Sequence, residues 1–174
     1  MFINKLLYKY SLHKQDRKTT AFPDFTHCTH ILLLLEGDAW LSVEKAVSDL
    51  RNTGKNVTII CYMPHAKPEQ QTDTPFCIVT KKDFSLWGKP KKILLQLLAQ
   101  HYDLLLDLTN GQDLHTLWMS ALATADFKAG QTSQAPFYVA DRRLDFIIQI
   151  PSSAPADYLL GQILFYLKQI KPQS

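Results

Sequence analysis

Neither G-x-G-x-x-G nor G-x-x-x-x-G-K-[ST] follows the first apolar run of this 174-residue chain, which holds only six glycines in all. Without such a loop no row of backbone N–H groups is laid out to cradle a phosphate, so dinucleotide-binding and P-loop readings are set aside. Paired cysteines are also missing. Cys28, Cys61 and Cys77 are an odd number without paired spacing. Cys61 and Cys77 sit in the apolar runs "VTIICY" and "FCIVT", where a free thiol behaves as a small hydrophobe. No disulfide framework is expected, and a reducing, cytoplasmic setting is. The longest purely apolar run, "ILLLL", is too short to span a bilayer, so no stable membrane insertion is expected. The first residues carry charge but no apolar h-region, so no signal peptide is expected either. An excess of one charge is lacking in the body of the chain. The net charge is +3, but residues 1–20 hold Lys5, Lys9, Lys14, Arg17 and Lys18 against Asp16, leaving −1 for the rest. That balance carries no nucleic-acid footprint.

What is present is a globular composition, 46% hydrophobic and 20% charged, long enough for one sizeable core. The chain divides into a basic N-terminal helical segment, residues 1–20, and a single domain, 21–174. Phe2, Leu6 and Tyr10 share one side of a short amphipathic helix over 1–12. They are expected to cover protein, either this chain's own sheet or a second copy in a homodimer, with the lysines solvated.

Strands are predicted at 31–36, 56–62, 76–80, over "DLLLDL" (103–108), at "FYVA" (137–140) and at 145–150. Helices are predicted after Gly37-Asp38 up to Gly54, from Pro90 onward, around Leu114–Leu122 and from Pro155 to Ile170. Apolar strands alternating with amphipathic helices imply parallel pairing through right-handed crossovers. The expected fold is α/β: a three-layer α/β/α Rossmann-like sandwich with a mostly parallel sheet.

In such sheets ligands bind beyond the carboxyl ends of the strands, where the strand order reverses. Those ends supply Gly37 and Asp38 after the first strand, Lys82 after the third, and Asp107 and Asn110 after "DLLLD". If the first and fourth strands are neighbours, Asp38 and Asp107 approach one cleft. Asp38 could then serve as a general base. The plainer reading makes Asp38 a helix cap and Asp107 an acceptor in its own turn. "KKDFSLWGKPKK" (81–92) groups five lysines around Trp87, so Lys82 and Trp87 could bind an anion and stack a ring. Its plainer reading is a solvated loop whose aromatics pack back on the core. "THCTH" (26–30) has ligand-type residues but no partner motif, and its better reading is a polar strand entrance. No metal site and no cofactor are expected.

Two resemblances rest on these segments. "KKDFSLWGKPK", "YDLLLDLTN" and the terminal "YLKQIK" resemble an uncharacterised family of small bacterial proteins of unknown function, which implies no activity. More distantly, "LLLLEGDAWLSVEKAVSDLR", "YDLLLDL" and "ATADFKAG" resemble the N-terminal half of heptosyltransferase-type glycosyltransferases of GT-B fold. That resemblance places Gly37 and Asp38 on the family's Gly-Asp and implies Asp38 as base. The family's loop before Gly-Asp is shortened here to Glu36, and its nucleotide-sugar domain has no counterpart in these residues. The favoured expectation is therefore a non-catalytic or regulatory domain that binds a partner or small polar ligand at the strand ends. A glycosyltransferase-like enzyme, or a remnant of one, acting on a sugar or sugar phosphate is the alternative.

Overall fold

The structure is a computed structural model that describes residues 21–66, 74–132, 144–151 and 154–170. The helix expected over 1–12 and the strand expected at 137–140 lie outside the described residues. Within them six strands form one sheet: β1 (His30–Glu36), β2 (Asn56–Tyr62), β3 (Cys77–Val79), β4 (Tyr102–Asp107), β5 (Ala125–Gln131) and β6 (Phe146–Ile148). Four helices accompany them: α1 (Trp40–Asn52), α2 (Lys92–Leu98), α3 (Leu114–Leu122) and α4 (Ala156–Gln169). The strand order is β3-β2-β1-β4-β5-β6, and every pair is parallel. The fold is a Rossmann-like α/β sandwich. None of the described helices is long and apolar enough to cross a membrane.

The pattern of β1 explains its place. Ile31 to Leu35 are fully buried, because a central parallel strand is covered on both faces and cannot alternate with polar residues. Ile31, Leu33 and Leu35 pack with Val43, Val47 and Leu50 of α1 and with Leu159, Leu160, Ile163 and Leu167 of α4. Leu32 and Leu34 face the other way, toward Leu94 and Leu98 of α2 and Leu117 and Trp118 of α3. The chain steps one way from β1 to β2 and the other way from β4 to β5. Right-handed crossovers then force α1 and α3 onto opposite faces. The direction reverses between β1 and β4, and that switch point sets the site.

Three local expectations need correction. β5, "ADFKAGQ", is not expected as a strand from its composition, since Asp, Lys and Gly weaken the β signal. It forms because Phe127 and Ala129 enter the core while buried Lys128 turns its ammonium onto the Ser120 and Ala121 carbonyls, at 2.9 and 3.3 Å. Those carbonyls belong to the last turn of α3, where a cation is welcome. Pro90 does not open α2, which starts at Lys92 with Lys91 as N-cap. The loop before it closes on itself: Phe84 bridges Pro90, Ser85 N–H donates to Lys89 O, and Lys91 N–H donates to Asp83 O. A residue used in that pairing cannot also start the helix. Finally, "THCTH" is not a strand entrance throughout, since residues 25–27 form a turn and β1 starts at His30. Asp24 accepts the Thr26 N–H and hydroxyl in a turn, Cys28 is buried, and His30 is exposed.

Candidate functional site

At the carboxyl end of the sheet a cleft of about 450 Å³ opens at the switch point, lined by Glu36, Gly37, Tyr62, Pro64, Asn110, Gln112 and Asp113. These residues come from the ends of β1, β2 and β4 and the loops that follow them, three strands that are neighbours in the order. Gly37 adopts φ +62° at the exit of β1, and its N–H donates to Tyr62 O at 3.0 Å, so the chain turns tightly away from the sheet. Across the switch point, Glu36 Oε1 accepts the Asn110 N–H at 2.8 Å. Asn110 in turn uses Oδ1 to accept the Gln112 N–H at 2.8 Å, a local turn of the kind asparagine favours. Strand pairing thus ties the β1–β2 side of the cleft, and side chains carry the link from β1 to the loop after β4.

The other wall is a polar group beside aromatic rings. Asp113 Oδ1 accepts the His115 N–H at 2.8 Å as the N-cap of α3 and lies 2.7 Å from His115 Nδ1. The Tyr62 hydroxyl is 2.8 Å from the same nitrogen. A carboxylate can only accept, so the Nδ1 proton belongs on the side facing Asp113. The His115 ring stacks on Tyr62, with centroids 5.4 Å apart, and meets the edge of buried Phe84 at 4.4 Å. Burial raises the Asp113 carboxyl, but the hydrogen bonds from His115 and Tyr62 together outweigh it and hold the group below the usual carboxylate range. Burial, reinforced by the Asp113 charge, pushes the Tyr62 phenol well above its ordinary value. Tyr62 is therefore a lasting donor at neutral pH.

Burial, with Glu36 and Asp38 nearby, pushes the Cys61 thiol up to about 12, and its Sγ donates to Gly37 O at 3.3 Å. That thiol stays protonated and is no nucleophile. The charged residues lining the cleft among the described residues are Glu36 and Asp113, both acids. The arrangement suits hydroxyl or ammonium groups better than phosphate.

The residues singled out in the sequence divide here. Gly37 and Asn110 line the cleft. Asp38 is exposed just outside it and is not the side-chain cap of α1: the N-cap position is Ala39, and Asp38 accepts Leu41 N–H only through its backbone carbonyl. Asp107 is fully buried, where Oδ1 accepts the Thr109 N–H and hydroxyl at 3.0 and 2.6 Å, the turn expected of it. Lys82 and Trp87 are exposed on the loop after β3 and do not line the cleft, although Phe84 of that loop backs His115.

Tyr62, Asp113 and His115 are not among the residues that the sequence singles out, and Glu36 stands at the end of the first predicted strand without being read as a binding group. Asp113-x-His115 at a helix start is the available signal, since an N-cap aspartate faces the residue two positions on. A second hollow of about 540 Å³ lies at the amino-terminal end of the sheet, lined in part by Phe25, Lys55 and Lys168. There the Lys55 ammonium is occupied by the Phe25 and Cys28 carbonyls at 2.7 and 2.8 Å.

A family of unknown function, DUF6913, has a model that matches residues 1–170. The chain belongs to that family. No curated protein matches this DUF6913 chain. Among solved structures it is similar to the TT0316 protein from Thermus thermophilus, at 12% identity and a TM-score of 0.32, covering 99% of the DUF6913 chain. The match takes in 63% of that solved chain. A likeness of this size bears on neither fold nor function.

Proposed function

We propose that this DUF6913 chain is a non-catalytic Rossmann-like domain that binds a small polar ligand in the switch-point cleft, in a regulatory or partner-signalling role. The observation that carries this is the Glu36–Asn110 hydrogen bond across the switch point, in the wall of an open cleft at the carboxyl ends of the strands. Parallel sheets bind ligands at that place for a geometric reason: loops leave in opposite directions there and part. The acid-only set of charged lining residues favours a neutral polyol or a cation. The free cysteines support a reducing, cytoplasmic setting, and the resemblance in "KKDFSLWGKPK" supports a bacterial one.

The competing reading is a glycosyltransferase-like activity with Asp38 as base. The resemblance of "LLLLEGDAWLSVEKAVSDLR" to that family's Gly-Asp segment favours it, and the position of Asp38 outside the cleft lining weighs against it.

A thermal-shift screen separates the two, using polyols, neutral sugars, amino sugars and polyamines in one arm and sugar phosphates and nucleotide sugars in the other. A saturable shift is expected in the first arm. Glu36→Gln should weaken it at least tenfold while leaving the free protein's melting temperature nearly unchanged, since a Gln oxygen still accepts the Asn110 N–H. A shift confined to the second arm and lost in Asp38→Asn would support the transferase reading instead. No shift in either arm would overturn the proposal.

A further inference from the structure

The amino-terminal edge of the sheet, opposite the cleft, gathers a second set of polar groups. His101 precedes β4, Asp103 lies in β4, and Asp126 lies in β5. One donor atom from each lies within 4.8 Å of the other two. The β4–β5 register pairs Tyr102 with Ala125 and Leu104 with Phe127, so Asp103 stands opposite Asp126 on neighbouring strands. Two carboxylates in that relation repel and cost stability unless something positive sits between them.

The geometry around them resembles a ligand set. His101 Nε2 and Asp126 Oδ1 are 3.0 Å apart. That contact is a hydrogen bond, which an ion would replace with little movement, because two donors at about 2.0–2.2 Å from a shared tetrahedral zinc ion are themselves separated by about 3.3 Å. Asp103 is fixed from behind: Oδ2 accepts the Thr29 and His30 N–H groups at 2.6 and 2.8 Å and the Thr29 hydroxyl at 3.1 Å. Those bonds leave Oδ1 for a ligand and hold the carboxylate in place, as outer-shell partners do in metal sites. His30 stands beside the group, with Nδ1 3.9 Å from Asp103 Oδ2.

We propose that His101, Asp103 and Asp126 bind a divalent transition-metal ion of the zinc type, with water completing the coordination. One imidazole and two carboxylates suit zinc better than magnesium or calcium, which prefer oxygen alone. Bound there, the ion relieves the Asp103–Asp126 repulsion and links β4 to β5. Through the backbone bonds of Asp103 it also steadies the entry of β1. Its role is structural, at the edge away from the cleft. The sequence conceals it because only His101 and Asp103 are close along the chain, and the imidazole stands 25 residues from Asp126.

The test is isothermal titration of the chelator-treated full chain with zinc chloride, followed by thermal melting. One ion should bind per chain. At a hundredfold excess over the dissociation constant the melting temperature should rise by about 5–10 °C. His101→Ala and Asp126→Asn, both at exposed positions, should each weaken binding by more than about tenfold, the loss already typical of disturbing an outer-shell partner. His27→Ala is the control, because the His27–Asp24 pair is as close, at 3.0 Å, but belongs to no such three-residue group among the described residues. It should bind zinc as the parent does. Absence of saturable binding, or equal binding by His101→Ala, would overturn the proposal. So would a thiolate charge-transfer band when cobalt(II) replaces zinc, since it would place a cysteine on the metal.

Discussion

Asp113 does two jobs at one atom. Its Oδ1 caps α3 through the His115 N–H and also faces His115 Nδ1, while Tyr62 from β2 and Glu36 from β1 set the surrounding field. Because its folded-state pKa is depressed, Asp113 contributes stability that is fully present above its unfolded value of about 3.9. That contribution is lost as pH falls through the lower folded value. Asp113→Asn keeps a capping side chain, since asparagine caps about as well as aspartate. The variant should therefore match the parent's stability, read from urea midpoints near neutral pH, to within about 1 kcal/mol. Below about pH 4 its midpoint should fall less steeply than the parent's. Parallel acid limbs in the two proteins would show that the Asp113 carboxylate is not held as described. At this scale the sequence is only half legible. The Asp107 turn follows from Asp-x-Thr, whereas Asp38 has the composition of a cap but not its place, because the helix begins one residue later than a side-chain cap there requires.

Among the elements, β1, β2 and β4 are legible because continuous apolar runs leave them no alternative to a doubly covered strand. β5 is not, because its fitness for the sheet depends on contacts that composition does not show. Gly130 is the clearest of these. A Cβ there would stand 2.8 Å from Asp107 O and 3.0 Å from Leu144 Cδ1, so β5 lies too close to β4 for any side chain at that point. The obstructing oxygen belongs to backbone already committed to the sheet, so it cannot rotate away. Gly130→Ala should cost about 1–3 kcal/mol, the usual range for overpacking, read from denaturant midpoints. A change below about 0.5 kcal/mol would mean that β4 and β5 part more easily than this packing implies.

Taken whole, the molecule is a doubly wound sheet with two unlike edges. The carboxyl edge parts at the β1–β4 switch point into an acid-lined cleft beside Tyr62 and Asp113, and the amino edge gathers His101, Asp103 and Asp126. Parallel order and the location of the cleft follow from the alternation of strands and helices. Of the lining residues Gly37 and Asn110 follow as well, whereas Tyr62 belongs to a run that reads as plain strand until the register is known. If the switch-point cleft takes a small polar ligand, the sharpest check is to titrate the isotopically labelled protein with the compound that gives the largest thermal shift and follow its amide NMR spectrum. Saturable shifts should centre on the Gly37, Asn110, Gln112 and Asp113 amides and weaken in Glu36→Gln. Shifts centred instead on the amino edge, around Phe25, Lys55 and Lys168 or around His101 and Asp126, would refute binding at the switch point.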